Sequence, residues 1–159
     1  MMERRFARGA KVYYMAIRIV LAEDHTLVRE TLGDFLQQQE DMEVVGRAKD
    51  GAEAMELTRE LQPDVVVMDV SMPPVLSGLE ATRWICKLWP DIKIIALSMH
   101  GHGQYVMEML KAGARGYLLK DCDSDELLAA IRTVASGATY VSPAIEMIVP
   151  AVSEDPRDQ

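Results

Sequence analysis

Five polar residues stand at the carboxyl ends of separate apolar runs. Glu23 and Asp24 follow Ile17 to Ala22, Asp69 ends Val65-Val66-Val67-Met68, Ser98 ends residues 93–97, and Lys120 follows Gly116 to Leu119. Three carboxylates near one point repel each other, so such a cluster takes up protons or binds a cation. The candidate ligands are all oxygens, which favours a hard ion, Mg2+ over zinc. Asp24 and Asp69 suit direct ligands, Glu23 suits a ligand through water, and the backbone carbonyl of Ser71 adds another oxygen. A carboxylate can also attack phosphorus and become an aspartyl phosphate. That transfer needs charge neutralisation more than it needs a base. The metal offsets oxygen charge on one side and Lys120 on the other. The Ser98 hydroxyl can then hydrogen-bond a phosphoryl oxygen. Unit charges ~4 Å apart interact by ~4 kcal/mol at an effective dielectric of ~20. Phosphate on Asp69 can therefore draw Ser98 and its loop inward and shift a two-state surface.

The elements that must position these residues follow from periodicity. Val65-Val66-Val67-Met68 is a strand buried on both faces, as inside a parallel sheet, and Asp69 lies at the edge where ligands sit in open α/β sheets. Further strands are expected at Ile17 to Ala22, Met42 to Ala48, residues 93–97 and Gly116 to Leu119. Helical spacing follows each strand. Asp50/Glu53, Ser77/Glu80 and Asp123/Glu126 fit capping boxes, Pro63 and Pro90 mark helix ends, and Gly113 and Gly137 mark helix carboxyl termini. The pattern predicts a single five-stranded parallel sheet with helices on both faces. Strands one and three are expected to be central, because the acids follow them.

Composition bounds the rest. The 159 residues suit one domain, residues 16–138. A net charge of -8 argues against nucleic-acid binding through a broad basic face. No apolar run approaches the ~18 residues of a membrane span, so no membrane partner is expected. Cys86 and Cys122 form no CxxC or zinc pattern and read as cytosolic thiols. His25, His100 and His102 read as surface or loop residues, and Trp84 and Trp89 as helix packing or rim. Residues 1–15 carry Arg4, Arg5, Arg8 and Lys11 against Glu3, and read as a loose basic extension. Residues 139–159 are punctuated by Pro143, Pro150 and Pro156 and read as a linker.

Several stretches resemble the receiver domain of two-component response regulators. They are Val20-Leu21-Ala22-Glu23-Asp24-His25, Val67-Met68-Asp69-Val70-Ser71-Met72-Pro73, Ala96-Leu97-Ser98 and Gly116-Tyr117-Leu118-Leu119-Lys120. The resemblance covers about residues 16–137. Asp24-His25-Thr26-Leu27-Val28-Arg29 and Lys111-Ala112-Gly113-Ala114 resemble the NarL/LuxR-type subgroup. It implies the (βα)5 flavodoxin-like receiver fold. It also implies that Asp69 accepts a phosphoryl group from a sensor histidine kinase, that Glu23, Asp24 and Asp69 hold Mg2+, that Lys120 pairs with the phosphate, that Ser98 senses it, and that Tyr117 is an aromatic switch. The surface of the fourth helix, fifth strand and fifth helix becomes the partner face, used for homodimerisation on activation. The resemblance implies a cytoplasmic signalling protein, not an enzyme beyond slow autodephosphorylation. DNA would be bound only through a helix-turn-helix domain beyond this linker, so the chain is expected to be a piece of a longer protein.

Three departures stand out. Pro74 is an extra residue between Pro73 and Gly78, which lengthens and stiffens the loop beside Asp69. Lys120 is followed by Asp121, not proline, so a trans bond is expected. Gly101 and Gly103 should loosen the start of the fourth helix. Two other readings are weaker. A phosphohydrolase of the haloacid dehalogenase type wants a second Asp two residues after the first, where Ser71 stands. A degenerate receiver acting only as an interaction module is disfavoured by the intact Asp24, Asp69 and Lys120.

Overall fold

The computed structural model describes residues 5–8, 11–14, 16–70, 77–99 and 103–148. The loop carrying Ser71 and Pro74, the residues His100, Gly101 and His102, and the tail after residue 148 lie outside these. β1 (Arg5–Arg8) pairs antiparallel with β2 (Lys11–Tyr14) in a sheet of their own. The main sheet follows: β3 (Ile17–Ala22), α1 (Thr26–Gln37), β4 (Met42–Ala48), α2 (Gly51–Leu61), β5 (Val65–Asp69), α3 (Gly78–Leu88), β6 (Lys93–Ser98), α4 (Gly103–Ala112), β7 (Gly116–Leu119), α5 (Ser124–Ala135), β8 (Tyr140–Val141) and α6 (Pro143–Ile148).

The strand order is β4-β3-β5-β6-β7-β8, every pair parallel. β3 and β5 are interior neighbours. The chain winds outward to β4 on one side of β3 and then to β5 on the other, which makes the crevice between β3 and β5 a switch point for ligands. Alternate residues of each strand feed two cores. Val20, Val66, Met68, Ile94, Ala96 and Tyr117 share one with Ala54, Ala81, Ile85, Val106 and Met109 of α2, α3 and α4. Ile19, Leu21, Val65, Val67, Ile95 and Leu118 share the other with Leu36, Leu127 and Ile131 of α1 and α5.

The N-cap half of each expected capping box forms: Asp50, Ser77 and Asp123 each accept from the backbone N–H three residues on. Gly113 ends α4 at φ +114, and a Cβ there would meet the Cys86 side chain at 2.8 Å.

One expectation needs correction, and two terminal stretches hold elements of their own. The sheet has six strands, not five, because β8 adds to β7. Tyr140 N–H donates to Arg115 O and Ser142 N–H to Tyr117 O, satisfying an edge that five strands would leave open. The segment expected as linker thus contributes β8 and α6, and Ile145 is fully buried. The amino-terminal stretch expected to be loose contains the β1–β2 hairpin.

Candidate functional site

Asp69 ends β5 with 3 % of its surface exposed. Two neighbours fix the backbone there. Val70 N–H donates to Leu97 O at 3.0 Å. The first turn of α3 presses on the strand end so closely that Gly78 has no room for a side chain. Thr82 Oγ1 donates to Gly78 O at 2.7 Å and holds that turn.

Lys120 follows β7. Its N–H donates to Ser98 O at 2.8 Å, which ties the ends of β6 and β7 together. Its Nζ donates to Asp69 Oδ2 at 2.9 Å and to Glu23 Oε1 at 2.7 Å. Glu23, after β3, is 2 % exposed. Its N–H donates to Ala48 O, and its carbonyl accepts from Arg29 Nη1 at 2.8 Å. One ammonium thus joins side chains that lie 97 and 51 residues from it in sequence.

Asp24 lies beside Glu23, and together with His25 they form a compact donor group whose ligand atoms lie within 4.8 Å of one another. Asp69 joins this group through Lys120. His25, read from sequence as a surface residue, is exposed, yet its Nδ1 sits 3.2 Å from Asp24 Oδ1 and 3.9 Å from Glu23 Oε2. Its position directly after the acidic pair was the available signal. Ser98 ends β6, 5 % exposed, and Tyr117 is fully buried in β7. Ser71 falls outside the described residues.

The electrostatics follow from crowding. Burial, then the Asp69 carboxyl beside it, push the Glu23 pKa up to about 7 against the pull of Lys120. Burial also works against ionised Asp24, but Glu23 and His25 outweigh it and hold Asp24 below its usual value. Burial opposes the Lys120 charge, and Glu23 and Asp69 overcome it, so its pKa is raised. Burial raises the Tyr117 pKa, with the Ser98 hydroxyl opposing.

The residues present fit a hard divalent cation. Among the described residues, Glu23 Oε2 and Asp24 Oδ1 are buried oxygens that accept no well-formed hydrogen bond, His25 Nδ1 being the one nitrogen close to them. Buried acceptors are normally satisfied. A cation between them would satisfy both and relieve the repulsion. Beside this site a groove of about 810 Å3 runs from Glu23 and Lys120 past Leu27, Thr31 and Phe35 of α1 to Met99.

The chain is similar to known proteins in sequence and fold. Residues 19–132 match the response regulator receiver domain family. The chain is 46% identical over 127 residues to the oxygen regulatory protein NreC of Staphylococcus carnosus, covering 80% of this chain and 58% of that protein. It is 43% identical over 129 residues to the transcriptional regulatory protein DegU of Brevibacillus brevis, covering 81% and 54%. The chain therefore spans little more than half the length of these curated relatives. A crystal structure of a LuxR-family two-component response regulator from Aurantimonas sp. SI85-9A1 superposes with a TM-score of 0.80 at 36% identity, covering 87% of this chain and 99% of that one. The signal receiver domain of a NarL response regulator from Mycobacterium tuberculosis gives 0.74 at 32%, covering 77% and 98%.

Proposed function

The chain belongs to the response regulator receiver domain family, of the LuxR/NarL type, and from that premise we propose that Asp69 is its phosphoacceptor. The observation that carries this reading is the Lys120 ammonium held against both Asp69 and Glu23 at the ligand edge of the sheet. An Asp69 carboxylate oxygen attacks the phosphorus of a phosphohistidine on a sensor kinase. The new O–P bond forms as the P–N bond breaks, and the histidine leaves. Lys120, already beside Asp69 Oδ2, pairs with the incoming phosphoryl oxygens, and the Ser98 hydroxyl donates to one of them.

Glu23, Asp24 and Asp69, with the Ser71 carbonyl, would hold Mg2+. When bound, the ion supplies charge neutralisation at the phosphoryl oxygens. The apolar groove beside Lys120, where Leu27 is 79 % and Met99 71 % exposed, offers a docking surface to the phosphodonor protein. Homodimerisation on activation, and DNA binding through a domain outside this chain, complete the reading. The description of one relative as a transcriptional regulatory protein supports the second of these. Among the described residues no helix is long and apolar enough to cross a membrane. A cytoplasmic setting rests on the family.

Intact-mass measurement after incubation with acetyl phosphate tests the assignment. One phosphoryl group should be gained by the wild type with Mg2+ and none by Asp69→Asn. Equal labelling of both rules out Asp69, and multiple turnover of phosphomonoesters would favour a hydrolase.

A further inference from the structure

The edge of β7 is occupied by the chain's own residues 140–148. Tyr140 lies opposite Gly116 and Val141 opposite Tyr117 in parallel register. Ser142 N–H donates to the carbonyl of Tyr117 itself at 3.0 Å, and Ile145 N–H then donates to Ser142 O at 2.9 Å, turning the chain into α6. Ile145 is fully buried in the apolar cluster that also holds Tyr117, Val106, Met109 and Leu110, and Ser142 is 4 % exposed. Tyr140 Oη reaches Glu126 Oε1 of α5 at 3.3 Å. The segment therefore spans the α4–β7–α5 face, and it is held there by both backbone and side chains of the strand that leads into Lys120.

We propose that residues 140–148 form a strap docked in cis on the α4–β7–α5 face, whose seating and the buried position of Tyr117 stabilise each other. Two features favour coupling over a passive edge cover. The strap's N–H groups bond the carbonyls of Arg115 and Tyr117 on either side of Gly116, and its fully buried Ile145 side chain joins the cluster around the Tyr117 ring. The Tyr117 ring is fully buried within that same cluster, so its position depends on the packing around it. Removing either side of such a contact weakens the other by the same factor. While the strap is seated, the β7 edge is closed to a second copy. A change in Tyr117 is passed directly to the chain leading out of the domain.

This inference goes beyond phosphoacceptance, and its test needs no phosphoryl donor, so the two fail separately. Hydrogen exchange on the full chain reads it. The Tyr140 and Ser142 amides should be protected in the wild type. Tyr117→Leu should speed their exchange at least tenfold, and Ile145→Ala should speed exchange in β7, while amides of β4 and β5 keep wild-type protection and report an intact fold. Ile145→Val should restore most of the protection. Val141→Ala serves the same purpose if Ile145→Ala loosens the whole domain. Strap amides that exchange like a free peptide in the wild type overturn the proposal. So does strap protection unmoved by Tyr117→Leu in a folded chain.

Discussion

Gly78 and Asp69 meet so closely that a Cβ on Gly78 would stand 2.0 Å from the Asp69 carbonyl oxygen. The contact is backbone against the first turn of a helix, so neither side can swing away. The carboxyl end of β5 and the first turn of α3 are thereby held at a close, fixed spacing.

Gly78→Ala should therefore force α3 away from β5. Overpacking of this kind typically costs ~1–3 kcal/mol, and urea denaturation should show a loss of that size. Phosphoryl uptake should fall with it. Wild-type stability and uptake would mean that α3 shifts freely.

Lys120→Met should remove the only cation hydrogen-bonded to both Asp69 and Glu23 among the described residues. Two buried carboxylates are then left facing each other, and Glu23 loses the partner that lowers its pKa. Uptake from acetyl phosphate should drop at least tenfold, the scale of ~1.4 kcal/mol in a barrier. Mg2+ binding, followed by calorimetry, should persist. Unchanged uptake would remove Lys120 from the chemistry.

The raised Glu23 pKa gives a pH dependence. A carboxyl group with a folded value near 7, against 4.5 unfolded, binds its proton more tightly in the native state. Its contribution to stability is then fully present below the unfolded value and is lost as pH rises toward 7. Metal-free protein should lose stability across that window, and Mg2+ should bind more tightly as pH rises through it. Thermal melts at pH 5 to 8, with chelator and with Mg2+, check both. A metal-free stability that rises across that window contradicts the assignment.

Much of this was legible in the sequence, and the exceptions share a physical cause. Val65–Asp69 and the three helix N-caps are local signals, and they fold as read. Lys120, Ser98 and Glu23 were placed by the strand-end rule, which the parallel sheet obeys. β8 was missed because Tyr140–Val141 is too short to show alternation, and its pairing to β7 is a tertiary event. The sequence names Gly78 as a helix start but not the carbonyl it must clear. The pairing of β1 with β2 was not read because the run of basic residues dominated that stretch. His25 was set aside because histidine after an acidic pair is ordinary on a surface.

A remote ion pair provides a contrast. Arg132 of α5 grips Asp41 through Nε at 2.7 Å and Nη2 at 3.0 Å, both side chains about half exposed. Arg132 holds the Asp41 pKa below the usual carboxylate value. The pair's stabilisation is thus present above the unfolded Asp pKa and lost as pH falls through the folded one. Asp41→Asn should cost no more than about 1 kcal/mol at low salt, and less at high salt, without changing phosphoryl uptake. A loss of uptake would mean that α5 transmits strain to Lys120.

The most direct measurement locates the phosphoryl group. After exposure to acetyl phosphate and Mg2+, borohydride reduces an aspartyl phosphate to homoserine, which peptide mass spectrometry assigns to a position. Homoserine at position 69, and only when Mg2+ is supplied, is the predicted result. Homoserine at position 24, or phosphate uptake with position 69 still aspartate, would contradict it.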